Sequence, residues 1–288
     1  MGSPFADVPG VLLTQGGEVE REVLEPDERV RVNPTTQVPY RWVCSLDVTR
    51  AGTRFRGSGL LIGPRQVLTA AHNVYDAEGN RPDSLHVVPA RSVDEQPFGR
   101  FEAVAFTTTS RYISSPQPGN RFDLALVTLG ADASATTSKA IGGAALGHWG
   151  SPRTGQGTNL RPLTPAFLTG KDVVVCGYPG DKCNGRRCDP SVGWRLGDQS
   201  NTMWSHFGPA RFHAGAPGGL VYSADTAPGQ SGSPVWIRFR DGSRSLVGVH
   251  VARHLEYDAG ARRMTLRGNK GVHLDAEAMT LVRSWLGQ

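Results

Sequence analysis

The sequence predicts an all-β domain of short antiparallel strands that closes with one C-terminal helix. Three observations carry this expectation. Glycine and proline are dense, 36 and 20 in 288 residues, and so can punctuate many short strands. The apolar runs are brief, partly β-branched and bounded by turn residues. Helical spacing closes the chain, where Met279, Val282, Trp285 and Leu286 share a face and Asp275 stands ready as N-cap.

Taken in order, Gly57-Ser58-Gly59-Leu60-Leu61-Ile62-Gly63, the turn Pro64-Arg65-Gln66 and Val67-Leu68-Thr69-Ala70-Ala71-His72 read as a hairpin that ends in a histidine. Asp123 heads the apolar run to Leu129. Residues 130–170, rich in Ala, Gly, Thr and Pro, read as a crossover of long loops with room for a short strand within Ala140–Leu146. The turn Asp225-Thr226-Ala227-Pro228-Gly229-Gln230-Ser231-Gly232-Ser233-Pro234 then leads into a strand, Val235–Phe239, and Gly248–Arg253 reads as another.

Composition narrows the function classes. An apolar content of 38% in 288 residues supports a substantial core, and no apolar run is long enough to span a membrane. The net charge of +5 comes from dispersed arginines without a basic block, and no nucleic-acid module or aromatic-basic interleaving occurs. Neither nucleic acid nor membrane is therefore an expected partner. The eight histidines are scattered, His250 and His254 lie on an expected strand, and no Cys-x-x-Cys occurs, so neither metal nor other cofactor is expected. Of the four cysteines, Cys183 and Cys188 could close a small loop, while Cys44 and Cys176 on expected strands could be bridged or buried as free thiols.

Three residues suggest chemistry. A serine hydroxyl needs a base, an exposing backbone and N–H donors for a developing oxyanion, and Ser231 lies between glycines that permit such a turn. Imidazole titrates near neutrality, which makes His72 the natural base. A carboxylate at the head of an apolar strand needs a donor, and a histidine N–H would satisfy Asp123. Each residue alone has an ordinary structural explanation. Their chain order, His72, Asp123 and Ser231, matches that of the chymotrypsin-type proteases.

The chain resembles the bacterial glutamyl endopeptidases of that fold over most of residues 23–286. The likeness includes Asp27-Glu28-Arg29-Val30-Arg31-Val32 with Asn33-Pro34-Thr35-Thr36-Gln37-Val38-Pro39-Tyr40-Arg41, then Ala71-His72-Asn73-Val74-Tyr75-Asp76 and Gly177-Tyr178-Pro179-Gly180-Asp181-Lys182. The resemblance implies two antiparallel six-stranded β-barrels with a C-terminal helix, divided near residue 131, about 23–130 and 131–288. Residues 1–22 would form an N-terminal extension or propeptide. It also implies a monomeric serine endopeptidase, acting on polypeptides through an acyl-enzyme, with Gly229 and Ser231 N–H groups as the oxyanion hole. Thr226 and His250 would bind an acidic side chain at P1, the residue whose carbonyl is attacked.

Several positions depart from this pattern or allow a rival. Arg253 and Ala252 stand where the family usually has glycines, so Arg253 would either narrow the pocket mouth or add a cation. Asp225 lies where trypsin-like enzymes carry the acid that selects Arg and Lys. Gln230 replaces the aspartate that pairs with a freed N-terminus in trypsin-like zymogens, which argues against that switch. Activation, if required, would follow cleavage between Glu22 and Val23, since Val23–Arg29 resembles the mature start of glutamyl endopeptidases. Ser58 and Asn73 occupy places where many chymotrypsin-fold enzymes have a disulfide beside the catalytic histidine. Met1–Asp7 lacks the features of a secretory signal, which is compatible with an intracellular or a processed secreted enzyme. An inactive protease-fold binding module is the remaining alternative.

Overall fold

Short β-branched runs separated by glycine turns build two antiparallel assemblies, and the site sits where they meet. The structure, a computed structural model, describes residues 23–24, 26–116, 119–154, 157–182, 201–212, 219–260 and 262–287. Cys183 and Cys188, and the expected extension 1–22, lie outside the described residues.

The chain first forms β1 (Val30–Arg31) and then a six-stranded set: β2 (Val43–Arg50), β3 (Thr53–Leu61), β4 (Gln66–Thr69), β5 (Ser84–Pro89), β6 (Phe101–Thr108) and β7 (Ala125–Leu129). These six close into a barrel in the order β2-β3-β4-β7-β6-β5. Ala51 and Gly52, both at positive φ, form the two-residue connection between β2 and β3. Such a turn matches the right-handed twist of the strands that it joins. The short helix α1 (Ser110–Ser114), capped by Thr109, follows β6 and precedes the loop of Asp123.

The second assembly comprises β8 (Thr158–Asn159), helix α2 (Pro165–Leu168), β9 (Asp172–Gly177), β10 (Trp204–Phe212), β11 (Gly219–Tyr222), β12 (Pro234–Arg238), β13 (Arg244–Asp258) and β14 (Arg263–His273). Because β10 pairs with both β9 and β11, the pairings run from β9 through β10, β11, β14, β13 and β12 and return to β9. The expected pair of six-stranded antiparallel assemblies is thus present. Two further strands extend the second one: β8 lies parallel to β13, and β1 pairs with β10. The chain ahead of the first barrel therefore reaches across to the second.

A tryptophan seam fills the junction. Trp42 precedes β2, Trp149 lies in the crossover and Trp236 is on β12, with ring centroids 6.2 Å apart for Trp42 and Trp149 and 5.9 Å for Trp149 and Trp236. Two of these buried indoles satisfy their N–H groups on carbonyls, Trp42 on Leu146 at 2.8 Å and Trp149 on Asn159 at 2.8 Å. Large apolar area is thereby removed from water without stranding a donor. The chain ends in α3 (Ala276–Trp285), whose Met279 and Val282 are buried in the same core, while Asp275 caps it by accepting the Ala278 N–H at 2.9 Å.

Two local expectations need correction. Within Ala140–Leu146 there is no strand; Lys139–Ile141 forms a turn of 3-10 helix beside an isolated bridge between Thr137 and Ala145. Ser138 caps that turn and Gly142 ends it in the left-handed region, local signals that favour the turn over a strand. The strand expected to run to His72 ends at Thr69, and Ala71–Asn73 forms a 3-10 turn. Cys44 and Cys176 are buried free thiols, not a bridge, and burial pushes both thiols up.

Candidate active site

The turn after β4 carries His72, and the loop before β7 carries Asp123. His72 Nδ1 lies 2.7 Å from Asp123 Oδ2, and the His72 backbone N–H donates to Asp123 Oδ1 at 3.0 Å. Gly119 N–H supplies a third contact, to Oδ2 at 2.6 Å. Asp123 is fully buried, so these donors replace its lost water. With Nδ1–H committed to the carboxylate, the lone pair of the neutral ring lies on Nε2. That atom is buried and has no hydrogen-bond partner among the described residues.

The serine loop is fastened to this turn through Ser58 and Asn73. Asn73 Nδ2 donates to the Ser231 carbonyl at 2.8 Å and to Thr69 Oγ1 at 2.9 Å. Ser58 N–H donates to Ser231 O at 2.8 Å, and the Ser58 hydroxyl donates to Gly229 O at 2.9 Å while accepting Tyr178 N–H. The hydrogen bonds of Ser58 and Asn73 to Ser231, Gly229 and Tyr178 cross between the two assemblies.

Glycines flank Ser231 for steric reasons. Gly229 has φ +95°, and a Cβ there would stand 2.7 Å from the Tyr178 carbonyl; at Gly232, φ +87°, one would lie 2.1 Å from Ser58 O. Only glycine fits both. Gln230 is buried and braces the loop by accepting Ala227 N–H at 3.0 Å. Neither Gly229 N–H nor Ser231 N–H donates a hydrogen bond among the described residues. Two unpaired donors therefore flank Gln230, beside a half-buried serine.

The residues expected to line the pocket divide into two groups. His250 on β13 is bound to the serine loop, with Gly232 N–H donating to His250 O and His250 N–H to Ser233 O, both at 2.8 Å. Its ring is buried, with Nδ1 2.7 Å from Tyr222 Oη, and Thr226 is buried as well. Arg253, half-buried on β13, pairs in register with Asn269. Asp225 is differently engaged: Leu24 N–H donates to its Oδ1 at 2.7 Å, Glu28 N–H to its Oδ2 at 3.2 Å, and His206 Nδ1 lies 3.3 Å from Oδ2. Both carboxylate oxygens are thus occupied by the segment ahead of β1 and its surroundings. Sequence reading left out this use of Asp225, since its partners lie about two hundred positions away and are backbone groups.

That N-terminal segment is held a second time by Arg29. Its buried guanidinium bonds Asp27 through Nε at 2.9 Å and Asp181 through Nη1 at 2.9 Å. Burial alone would raise the Asp27 carboxyl, but hydrogen bonds from Arg29 and Lys182 hold it well below the usual range.

Residues 57–249 match the sequence model of the trypsin-like peptidase domain. The chain belongs to that family. It is a serine endopeptidase, a hydrolase. A glutamyl endopeptidase of Bacillus licheniformis is 29% identical over 266 residues, covering 92% of this chain and 69% of the relative. A protein of Bacillus subtilis named extracellular metalloprotease is 26% identical, covering 86% of this chain and 71% of its own. A solved structure of a Glu endopeptidase in complex with MPD superposes with a TM-score of 0.65 at 22% identity, over 92% of this chain and all of that one, a likeness of fold. Among the described residues no three His, Cys, Asp or Glu side chains are grouped to hold an ion.

Proposed function

We propose that this peptidase acts through Ser231, His72 and Asp123 and prefers glutamate or aspartate at P1. Ser231 Oγ attacks the scissile carbonyl while His72 Nε2 takes its proton, and Asp123 holds the ring in the required tautomer. The proton then passes to the leaving amine as the C–N bond breaks, and water resolves the acyl-enzyme by the same route. Gly229 and Ser231 N–H groups receive the oxyanion. The observation that carries the reading is the 2.7 Å contact of His72 with Asp123, with Nε2 left unpaired next to the turn that binds Ser231 O.

For P1 the support lies in how Asp225 is engaged and in which groups lie beside the serine loop. Asp225, the rival selector of Arg and Lys, is consumed by Leu24 and Glu28. His250 is tied to the serine loop through its backbone and Thr226 lies within that loop's approach, and an imidazole with a hydroxyl makes a charge-assisted site for a carboxylate. Arg253 adds positive charge along the same strand. The names of the glutamyl endopeptidase relatives agree with this preference. Cleavage between Glu22 and Val23 would release an ammonium at Val23, which is buried next to the anchored Leu24. Peptides that differ only at P1 test the assignment: cleavage after Glu and Asp is expected, and cleavage confined to Arg and Lys would sink it.

A further inference from the structure

Lys270 lies on β14 in register with Ala252 of β13. Opposed residues on neighbouring strands carry their side chains on one face. The side chain reaches the loop that orients Asp123: a Cβ built on Gly119 would stand 2.8 Å from Lys270 Cε, 3.0 Å from Nζ and 3.2 Å from the Ala252 methyl. Gly119, at φ +79°, leaves room for the lysine while its N–H donates to Asp123. Burial lowers the ammonium's hold on its proton, and the charge of Asp123 acts in the opposite direction. Among the described residues this ammonium has neither an ion-pair nor a hydrogen-bond partner. Asp123, whose charge acts on this ammonium, is already held by His72 and Gly119, so a ligand carboxylate would supply the cation with an anion of its own.

The route of a substrate supplies that ligand. The pairing of β12 with β13 ends at Val249, so at Val251 and Ala252 no described strand covers the edge of β13 that faces away from β14. An extended peptide can add to such an edge on its way to Ser231. Its side chains alternate between faces. If P1 enters the His250 and Thr226 side, the side chains of P2 and P4 turn to the other, where Ala252, Gly119 and Lys270 meet.

We propose that Lys270 binds a carboxylate side chain of the substrate at P2 or P4, giving a second site of acidic selection on the acyl side of the scissile bond. The proposal rests on the assignment of Ser231 as nucleophile and of the His250 side as the P1 pocket. Quenched peptides with Glu at P1, and Glu or Gln at P2 or at P4, test it. The wild-type enzyme is expected to favour Glu over Gln at one of those positions by roughly tenfold in kcat/KM, and which position responds distinguishes P2 from P4. In Lys270→Met the ratio should fall towards one, and Lys270→Arg should restore most of it. If Lys270→Met fails to fold, the wild-type ratio and its decline with added salt decide the matter. A wild-type ratio near one at both positions, or a ratio that survives in Lys270→Met, would overturn the proposal. So would a uniform drop in kcat with a displaced pH profile and an unchanged ratio, which would make Lys270 a support of Asp123 alone. Absence of cleavage after Glu with cleavage elsewhere would instead remove the P1 assignment on which the proposal stands.

Discussion

Replacing Asp225 by alanine separates its two possible roles. The carboxylate is buried and accepts Leu24 N–H at 2.7 Å and Glu28 N–H at 3.2 Å. A hydrogen bond to a charged group contributes about 1.5–3 kcal/mol, and the longer contact belongs at the low end. Removing both acceptors should cost about 3 kcal/mol of docking for the segment ahead of β1, roughly a hundredfold in local protection. Hydrogen exchange at Leu24 and Glu28, followed in wild type and Asp225→Ala, reads this directly. On the proposed assignment of P1 to His250 and Thr226, selectivity should stay acidic, because neither residue is touched. Unchanged exchange at Leu24, together with loss of an existing Arg or Lys preference, would refute the reasoning and return Asp225 to the pocket floor.

Other expectations follow from the same geometry. On the proposed roles, Asp123→Asn places an amide donor where a carboxylate oxygen accepts from His72 Nδ1 and so favours the wrong tautomer, and kcat should drop by about 10⁴ with little change in KM, as measured by steady-state kinetics. Gly229→Ala, with its Cβ 2.7 Å from Tyr178 O, should shift a donor of the proposed oxyanion hole and lower kcat by roughly 10²–10³ in a protein that circular dichroism still finds folded. The Asp27 carboxyl is held low in the folded state, so between that value and its ordinary 3.8 the unfolded chain binds more protons. Stability from this group is complete above 3.8 and is lost as pH falls through the folded value; denaturation followed from pH 6 to pH 2 should show Asp27→Asn insensitive to that part of the acid loss.

The parts of the site that could be read in sequence are those with local signatures. Ser231 between glycines, His72 after a short hairpin and Asp123 ahead of an apolar run each announce a conformation, and their order joins them. The capped helix at Asp275 was equally legible, since N-cap and apolar spacing lie within a few positions. What escaped depends on partners far along the chain. Asp225 and Leu24 are separated by 201 positions, and nothing near Asp225 indicates that backbone donors will consume it. Lys270 gains its place through strand register with Ala252, and Ser58 and Asn73 gain theirs through an interface between two assemblies. At Lys139–Ile141 capping by Ser138 and Gly142 makes a 3-10 turn where the crossover had room for a short strand.

The central claim is that Ser231 is an activated nucleophile with His72 as its base. Reaction with a fluorophosphonate, followed by peptide mapping, tests it most directly. The label should be found on Ser231 in the wild-type enzyme and should be lost in Ser231→Ala and in His72→Ala. A label on another residue, or undiminished labelling of Ser231 in His72→Ala, would contradict the account.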